Sequence, residues 1–301
     1  MANRGAVPPF IVMDVMRAAA EREATGKDVM HMEVGQPGTS AAAPVLEAAQ
    51  AALKNNRIGY TMALGIPELR ERLSQHYNEY YDLGAPSERI AITTGSSGAF
   101  IVAFLSAFDA GDRVALANPG YPAYRNILRA LDIEPVGLPV GPDSNFQPTP
   151  AILDTVEGDL DGLIIASPSN PTGTMIPAKE LGALVDYCKD RGIRLISDEI
   201  YHGITYEGRA GSVLAYSDDA IIINSFSKYF SMTGWRLGWM VLLEPLLRSV
   251  ECLSQNLFIS PPTLSQIAAV AAFDCQKQLD GYVANYRKNR DLLQDLLPKA
   301  G

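Results

Sequence analysis

The sequence predicts an α/β fold built on a mostly parallel sheet. Three observations carry that prediction. From Arg89 onward the chain repeats a strand–turn–helix unit. Its apolar runs are continuous rather than alternating, most clearly Leu163-Ile164-Ile165-Ala166, as expected of a strand covered on both faces. Its unusual polar strings come directly after such runs, at the strand ends where open α/β sheets gather their ligands.

Composition bounds the function. At 301 residues the chain can bury a large core and hold one large domain plus part of another. No apolar run approaches the length needed to cross a bilayer. A net charge of −9 argues against general nucleic-acid binding. Cys188, Cys252 and Cys275 are scattered and odd in number, so no disulfide framework is implied. His31, His76 and His202 are too dispersed for a metal site, and no zinc motif occurs. No signal-type segment opens the chain, and a cytoplasmic protein is the expectation.

Residues 10–24 read as a helix with Ile11, Val15, Met16 and Ala19 on one face. A short strand near residues 31–34 leads into Gly35-Gln36-Pro37-Gly38, a turn by composition. Helices over 45–54 and 67–80 follow, the second with Pro67 in its first turn. Residues 90–93 are β-rich, and Thr94-Gly95-Ser96-Ser97-Gly98-Ala99 opens the helix carrying 100–108. A glycine–serine turn there points N–H groups outward, with the helix dipole favouring an anion. A plain N-cap is the other reading of Ser96 and Ser97.

The strand over 113–117 runs into Asn118-Pro119-Gly120-Tyr121-Pro122, where prolines fix a loop and Tyr121 is placed to cover a flat ligand. Strand–helix units continue through Val136 and a helix starting near Pro150. The strand at 163–166 ends in Ser167-Pro168-Ser169-Asn170-Pro171-Thr172-Gly173, by composition an Asn-Pro turn. A helix over 178–191 precedes a strand at 194–197 that ends in Asp198-Glu199-Ile200-Tyr201. Such a strand could also bind magnesium in an ATPase, but the chain has no G-x-x-x-x-G-K-[ST] loop. After the strand at 220–223, residues 235–242 read as a further strand. Helical sequence then runs from about residue 244 to the end, broken at Ser260-Pro261-Pro262. No internal repeat or low-complexity linker appears.

The stretch from Asn224 to Trp239 is the most distinctive. Ser225, Ser227 and Lys228 come together, with Arg236 eight residues past the lysine and few other charges near. A partly buried amine has a lowered pKa and is a better nucleophile toward a carbonyl. The arginine offers a planar fork for a phosphate, and the hydroxyls can serve its remaining oxygens. A lysine for an aldehyde and an arginine for a phosphate are what pyridoxal 5′-phosphate (PLP) needs. A surface lysine after a strand is the plain alternative.

The string S-F-S-K-x-x-x-x-T-G-W-R-x-G resembles the lysine motif of the class I/II aminotransferases, PLP enzymes of fold type I that are like aspartate aminotransferase. Asn170-Pro171-Thr172-Gly173 resembles the family's N-P-T-G string, and Asp198-Glu199-Ile200-Tyr201 its D-E-x-Y string. The resemblance implies a three-layer large domain on a mostly parallel sheet, and a small α+β domain that looks incomplete at the C-terminus. The implied division is residues 1–44 as N-terminal arm and part of the small domain, 45–285 as the large PLP-binding domain, and 286–301 as the start of the small domain's C-terminal part. Family members continue further, and that further part carries the arginine for the substrate carboxylate.

Site roles follow from the same resemblance. Lys228 is implied as the Schiff-base lysine and the base that moves the substrate α-proton. Asp198 pairs with the pyridine nitrogen, Tyr201 and Asn170 reach the ring oxygen, and Tyr121 stacks on the ring. Ser96, Ser97, Ser225, Ser227 and Arg236 hold the phosphate. Tyr60, in a segment resembling Y-x-x-x-x-G-x-x-x-L-R, reaches the phosphate of the other subunit of a homodimer; an ordinary packed tyrosine is the alternative. Gly35 matches the loop lying over the substrate carboxylate, which Asn170 also approaches. The implied activity is transfer of an amino group between an L-amino acid and a 2-oxo acid. A PLP-dependent carbon–sulfur β-lyase or cyclopropane-carboxylate synthase, a PLP-sensing regulatory domain, and a truncated inactive relative remain alternatives.

Overall fold

A computed structural model describes residues 2–55 and 58–300. Seven strands form one sheet: β1 (Ile90–Thr93), β2 (Arg113–Asn118), β3 (Glu134–Pro139), β4 (Gly162–Ala166), β5 (Arg194–Asp198), β6 (Ile221–Ser225) and β7 (Gly238–Val241). Their order is β1-β7-β6-β5-β4-β2-β3, and β7 alone runs antiparallel to its neighbours. The strands are short and apolar because both faces are covered, and β1, β6 and β7 are buried throughout.

Helices supply the covering layers: α1 (Ile11–Glu23), α2 (Ala43–Asn55), α3 (Pro67–Tyr81), α4 (Gly95–Ala107), α5 (Pro122–Ala130), α6 (Pro150–Leu153), α7 (Ala178–Arg191), α8 (Glu244–Leu257), α9 (Thr263–Val270) and α10 (Gln276–Ala300). The strand period of two divides the core between the faces. On β6, Ile221 and Ile223 join Phe100, Phe104 and Leu128 on one side, while Ile222 joins Leu69, Leu73 and Trp239 on the other. On β4, Leu163 and Ile165 pack with Leu184 and Val185 of α7, while Ile164 faces the α4 side. The result is helix, sheet, helix.

Two expected strands differ. Residues 31–34 form no strand; His31 is instead bracketed by Glu23 at 2.9 Å and Glu33 at 2.7 Å, an ionic arrangement that needs no ladder. The strand expected over 235–242 begins only at Gly238. Residues Thr233–Trp235 close a 3₁₀ turn and Arg236 sits at φ 53°, which no strand accommodates. The helix expected near Pro150 is a single turn, capped by the Thr149 hydroxyl.

β1, β2, β4, β5 and β6 all run the same way, so the loops after them emerge along one edge of the sheet. β7 enters from that edge. Ser96, Tyr121, Asn170, Asp198 and Lys228 therefore meet, although 132 positions separate the first from the last.

Candidate active site

Lys228 lies in the turn after β6, a turn held by Phe226 N–H on the Leu237 carbonyl and Met232 N–H on the Phe226 carbonyl. Its Nζ donates to the Gly35 carbonyl at 2.5 Å and lies 5.5 Å from the centre of the Tyr201 ring. The side chain is half-buried, and desolvation lowers the amine's pKa while the nearby Asp198 charge opposes the change.

Asp198 closes β5 and is 4% exposed. Oδ1 accepts from the Ile200 N–H at 3.0 Å, and Oδ2 accepts from the Tyr124 hydroxyl. Burial dominates and raises the carboxyl to about 6, against those hydrogen bonds and the Lys228 charge. Tyr201 is pushed up to about 12 by burial, then by Asp198 and Tyr121, with the Asn170 side-chain hydrogen bond acting the other way. Tyr121 presents its ring edge to Tyr124 at 5.1 Å and receives Phe10 at 5.7 Å in a T-shaped contact.

Lys228, Asp198, Tyr201, Asn170, Tyr121 and Ser96 line one cavity of about 330 Å³, to which Gly35 also contributes. Ser97, Ser225, Ser227, Arg236 and Tyr60 do not line it. Ser97 is exposed on the first turn of α4. Ser225 and Ser227 are buried, with Oγ atoms 2.9 Å apart and Ser225 Oγ donating to the Leu237 carbonyl. Tyr60 is 82% exposed. A neighbouring cavity of about 420 Å³ shares Asn170 and Tyr201 and is bordered by Arg290. That guanidinium is engaged by Asp291 at 2.7 Å and lies over the Tyr206 ring at 4.5 Å.

The anion end is built by close approach. A Cβ at Gly95, where φ is +73°, would fall 2.7 Å from Arg236 Nη2, so the guanidinium lies against the N-terminus of α4. A Cβ at Gly238 would fall 2.9 Å from the Asn224 carbonyl, Gly95 C and Ser96 N, so β6, β7 and α4 touch backbone to backbone there. Arg236 Nη1 donates to the Thr233 carbonyl at 3.1 Å, which steadies its left-handed backbone. Helix amides and a guanidinium converging at one end suit a phosphate.

These residues fit PLP on structural grounds. A partly desolvated amine stands beside a buried carboxylate, and among the described residues Lys228 is the one cation acting on Asp198. A protonated ring nitrogen would give that carboxylate its missing counter-charge. Tyr124, which carries a hydrogen bond to Asp198, went unnoticed in the sequence. Its signal was the spacing of three from Tyr121, which places both tyrosines at the start of α5.

The sequence profile for aminotransferase class I and II matches residues 27–301. The chain belongs to the class I and II aminotransferases. This aminotransferase is 50% identical over 305 residues to the valine–pyruvate aminotransferase of Mycobacterium tuberculosis, covering 100% of the chain and 79% of the relative. A solved aminotransferase structure from Mycobacterium tuberculosis superposes with a TM-score of 0.97 at 50% identity, covering 100% of the chain and 79% of that one. Aspartate aminotransferase from Thermus thermophilus with maleate gives 0.93 at 29% identity, covering 99% and 80%. The aminotransferase is thus a PLP-dependent transaminase, with the three-layer fold of its family.

Proposed function

We propose that this transaminase moves the amino group of an apolar L-amino acid of the valine class to a small 2-oxo acid of the pyruvate class. The observation that carries the reading is the meeting of Lys228, Asp198, Tyr201 and Asn170 around one cavity, whose remaining wall includes Phe10, Val12, Met13 and Val34. Apolar walls favour an aliphatic side chain by removing its surface from water. The name of the Mycobacterium tuberculosis relative supports the same choice.

Lys228 Nζ would hold the cofactor, Asp198 its ring nitrogen, and Tyr201 and Asn170 its ring oxygen. Tyr121 would cover the ring face. Ser96, Ser97, Ser225, Ser227 and Arg236 would serve the phosphate. When bound, PLP supplies a carbonyl carbon for an amine and a ring that takes up electron density. Lys228, its amine kept neutral more readily by burial, accepts the substrate α-proton at Nζ and returns it, a two-way transfer that one base can serve. Asp198 stays ionised against a protonated ring nitrogen. Tyr124 and the Ile200 N–H hold its oxygens in place, and Gly35 and Asn170 border the substrate carboxylate.

Tyr60 and the apolar side chains of α1 and its surroundings support a homodimer with shared sites: Tyr60, Ile11, Met30 and Met32 are all at least 70% exposed. We assign residues 45–285 to the large domain, 1–44 to the arm and part of the small domain, and 286–301 to the small domain. Among the described residues no helix is long and apolar enough to cross a membrane. We assign the enzyme to the cytoplasm. The test is the absorbance spectrum of the PLP-loaded protein with L-valine, L-aspartate and L-glutamate in turn. Conversion of the visible band by L-valine, with return on adding pyruvate, is the expected result. Conversion by the dicarboxylic acids alone overturns the substrate class, and release of ammonia and pyruvate from an S-alkyl-L-cysteine, with a thiol leaving and no oxo acid added, would indicate a carbon–sulfur lyase.

A further inference from the structure

Behind Asp198 and Tyr201, the same turn carries two buried titratable side chains that the reaction does not use. Glu199 is 1% exposed and His202 6%. Glu199 Oε1 accepts from Ser197 Oγ at 3.2 Å, Ser212 Oγ at 3.0 Å and the Val213 N–H at 3.0 Å. Its Oε2 has no hydrogen-bond partner among the described residues and lies 3.6 Å from His202 Nδ1. His202 is held at both ends: Nε2 is 2.9 Å from the Ser167 carbonyl, and Nδ1 is 2.6 Å from the Tyr81 hydroxyl. A carbonyl only accepts, so Nε2 carries the hydrogen, and in the neutral ring Nδ1 accepts from Tyr81. Burial lowers His202 to about 4, which keeps the ring neutral at ordinary pH.

Ser167 ends the β4 edge three residues before Asn170, and its N–H reaches back to the Asp198 carbonyl at 3.3 Å. Asn170 lines the same two cavities as Tyr201, the residue before His202. One imidazole therefore ties the loop bearing Asn170 to the turn bearing Asp198 and Tyr201, and both to the end of α3. We propose that His202 is a positioning residue that sets Asn170 against Tyr201, with the Ser167 carbonyl fixing its tautomer, the Tyr81 hydroxyl holding Nδ1 and Glu199 backing its ring. A buried ring bonded through both nitrogens has one orientation, and a paired buried network is stiff. An apolar ring of similar shape would fill the space but leave the Ser167 carbonyl and the Tyr81 hydroxyl without their partner.

The inference rests on the reading that Asn170 and Tyr201 face the cofactor's ring oxygen, and the experiment separates the two. The PLP-loaded full chain is compared with His202→Phe, His202→Gln and Tyr81→Phe for the midpoint pH of the visible band, the PLP dissociation constant, kcat, KM and the melting temperature. His202→Phe is expected to move the midpoint by about one pH unit and to lower kcat about tenfold, with KM for the amino acid nearly unchanged. His202→Gln keeps a donor for the Ser167 carbonyl and should restore most of both; Tyr81→Phe should fall between. A folded His202→Phe protein with the wild-type midpoint and kcat, and only a lower melting temperature, makes His202 an ordinary core residue and overturns the proposal. If His202→Phe fails to fold, a wild-type midpoint and kcat in Tyr81→Phe overturn it equally. Absence of a visible band in the wild-type protein defeats the cofactor reading and this proposal together, whereas a normal band unmoved by the variants defeats this proposal alone.

Discussion

Lys228 and Asp198 differ in what their removal should abolish. Lys228→Ala removes the only side-chain amine among the described residues that line the cavity, so the visible band should vanish and turnover with it. Asp198→Ala leaves that amine in place, so the band should survive while kcat falls about 100-fold or more, as for other lost electrostatic partners of a developing charge. Unchanged turnover in Asp198→Ala would remove it from the mechanism. Burial also sets a pH signature of the cofactor-free protein. It raises Asp198 to about 6 and Glu199 to about 7, and lowers His76 and His202 to about 4. The two carboxyls hold protons in the folded chain that the unfolded chain has released, so their stabilisation is complete below about pH 4 and lost as pH rises through 6 and 7. The two histidines exclude protons that the unfolded chain binds, so theirs is complete above about pH 6.5 and lost as pH falls through 4. The opposing slopes nearly cancel between pH 4.5 and 6.5 (about two groups each way), and the melting temperature should be almost flat there. His76→Phe removes one rising contribution, so its melting temperature should fall as pH rises across that window; a curve parallel to wild type would show that His76 is not buried neutral. The residues of the candidate site were legible because lysine, arginine, serine and asparagine stand in strings where strands end. Tyr124 was not, since a tyrosine on the apolar face of a helix reads as core until its hydroxyl partner is seen.

The elements around the site were legible where periodicity or capping marks them. The helices found at Ile11–Glu23, Pro67–Tyr81 and Ala178–Arg191 lie within a residue or two of the expected ranges, since Pro67 at the start of one and Gly192 after another are strong boundary signals. The direction of β7 was hidden, because a short strand buried on both faces carries no sign of its orientation. The late start of β7 was hidden too: Trp235, Arg236 and Leu237 have strand-like composition, and the left-handed turn shows only in the structure, where the Arg236 guanidinium bonds the Thr233 carbonyl and lies in contact with Gly95. That contact yields an element-scale prediction. In Gly95→Ala the new methyl meets Arg236 Nη2 at 2.7 Å, at a backbone φ of +73° that costs a non-glycine residue about 1–2 kcal/mol. Either the α4 N-terminus or Arg236 must shift, and both belong to the anion end. The dissociation constant for PLP should rise about tenfold or more, while Gly111→Ala, also at positive φ but with open space around it, should lower stability without changing PLP affinity. Equal PLP affinity in Gly95→Ala and wild type would separate the Arg236–α4 contact from phosphate binding.

At the scale of the whole molecule, the distribution of apolar surface points outward from the site. Helix α1 buries none of its residues fully; Val12 and Met13, with Phe10 just ahead of the helix, border the cavity, and Ile11 and Val15 face solvent. Tyr60 and Met62 are exposed as well, beside a backbone held by Thr263 and Ser260. An isolated chain would leave this surface in water; a second copy seated on it would remove the cost and bring in its own Tyr60. A mixing experiment tests both points. Tyr60→Phe should bind PLP about tenfold or more weakly, by about 1.5–3 kcal/mol for one hydrogen bond to a charged group, and Lys228→Ala should be inactive. In a mixed dimer, the subunit that keeps Lys228 receives an intact Tyr60 from its Lys228→Ala partner, so half of the sites become wild type. Mixing the two inactive or weakened proteins, with subunit exchange, should therefore restore tight PLP binding and activity at low PLP to a fraction of the sites. Sedimentation should show a species of two chains at the same concentrations. Additive behaviour of the two variants, with no recovery on mixing, would place Tyr60 in its own subunit's surface and leave each site complete within one chain.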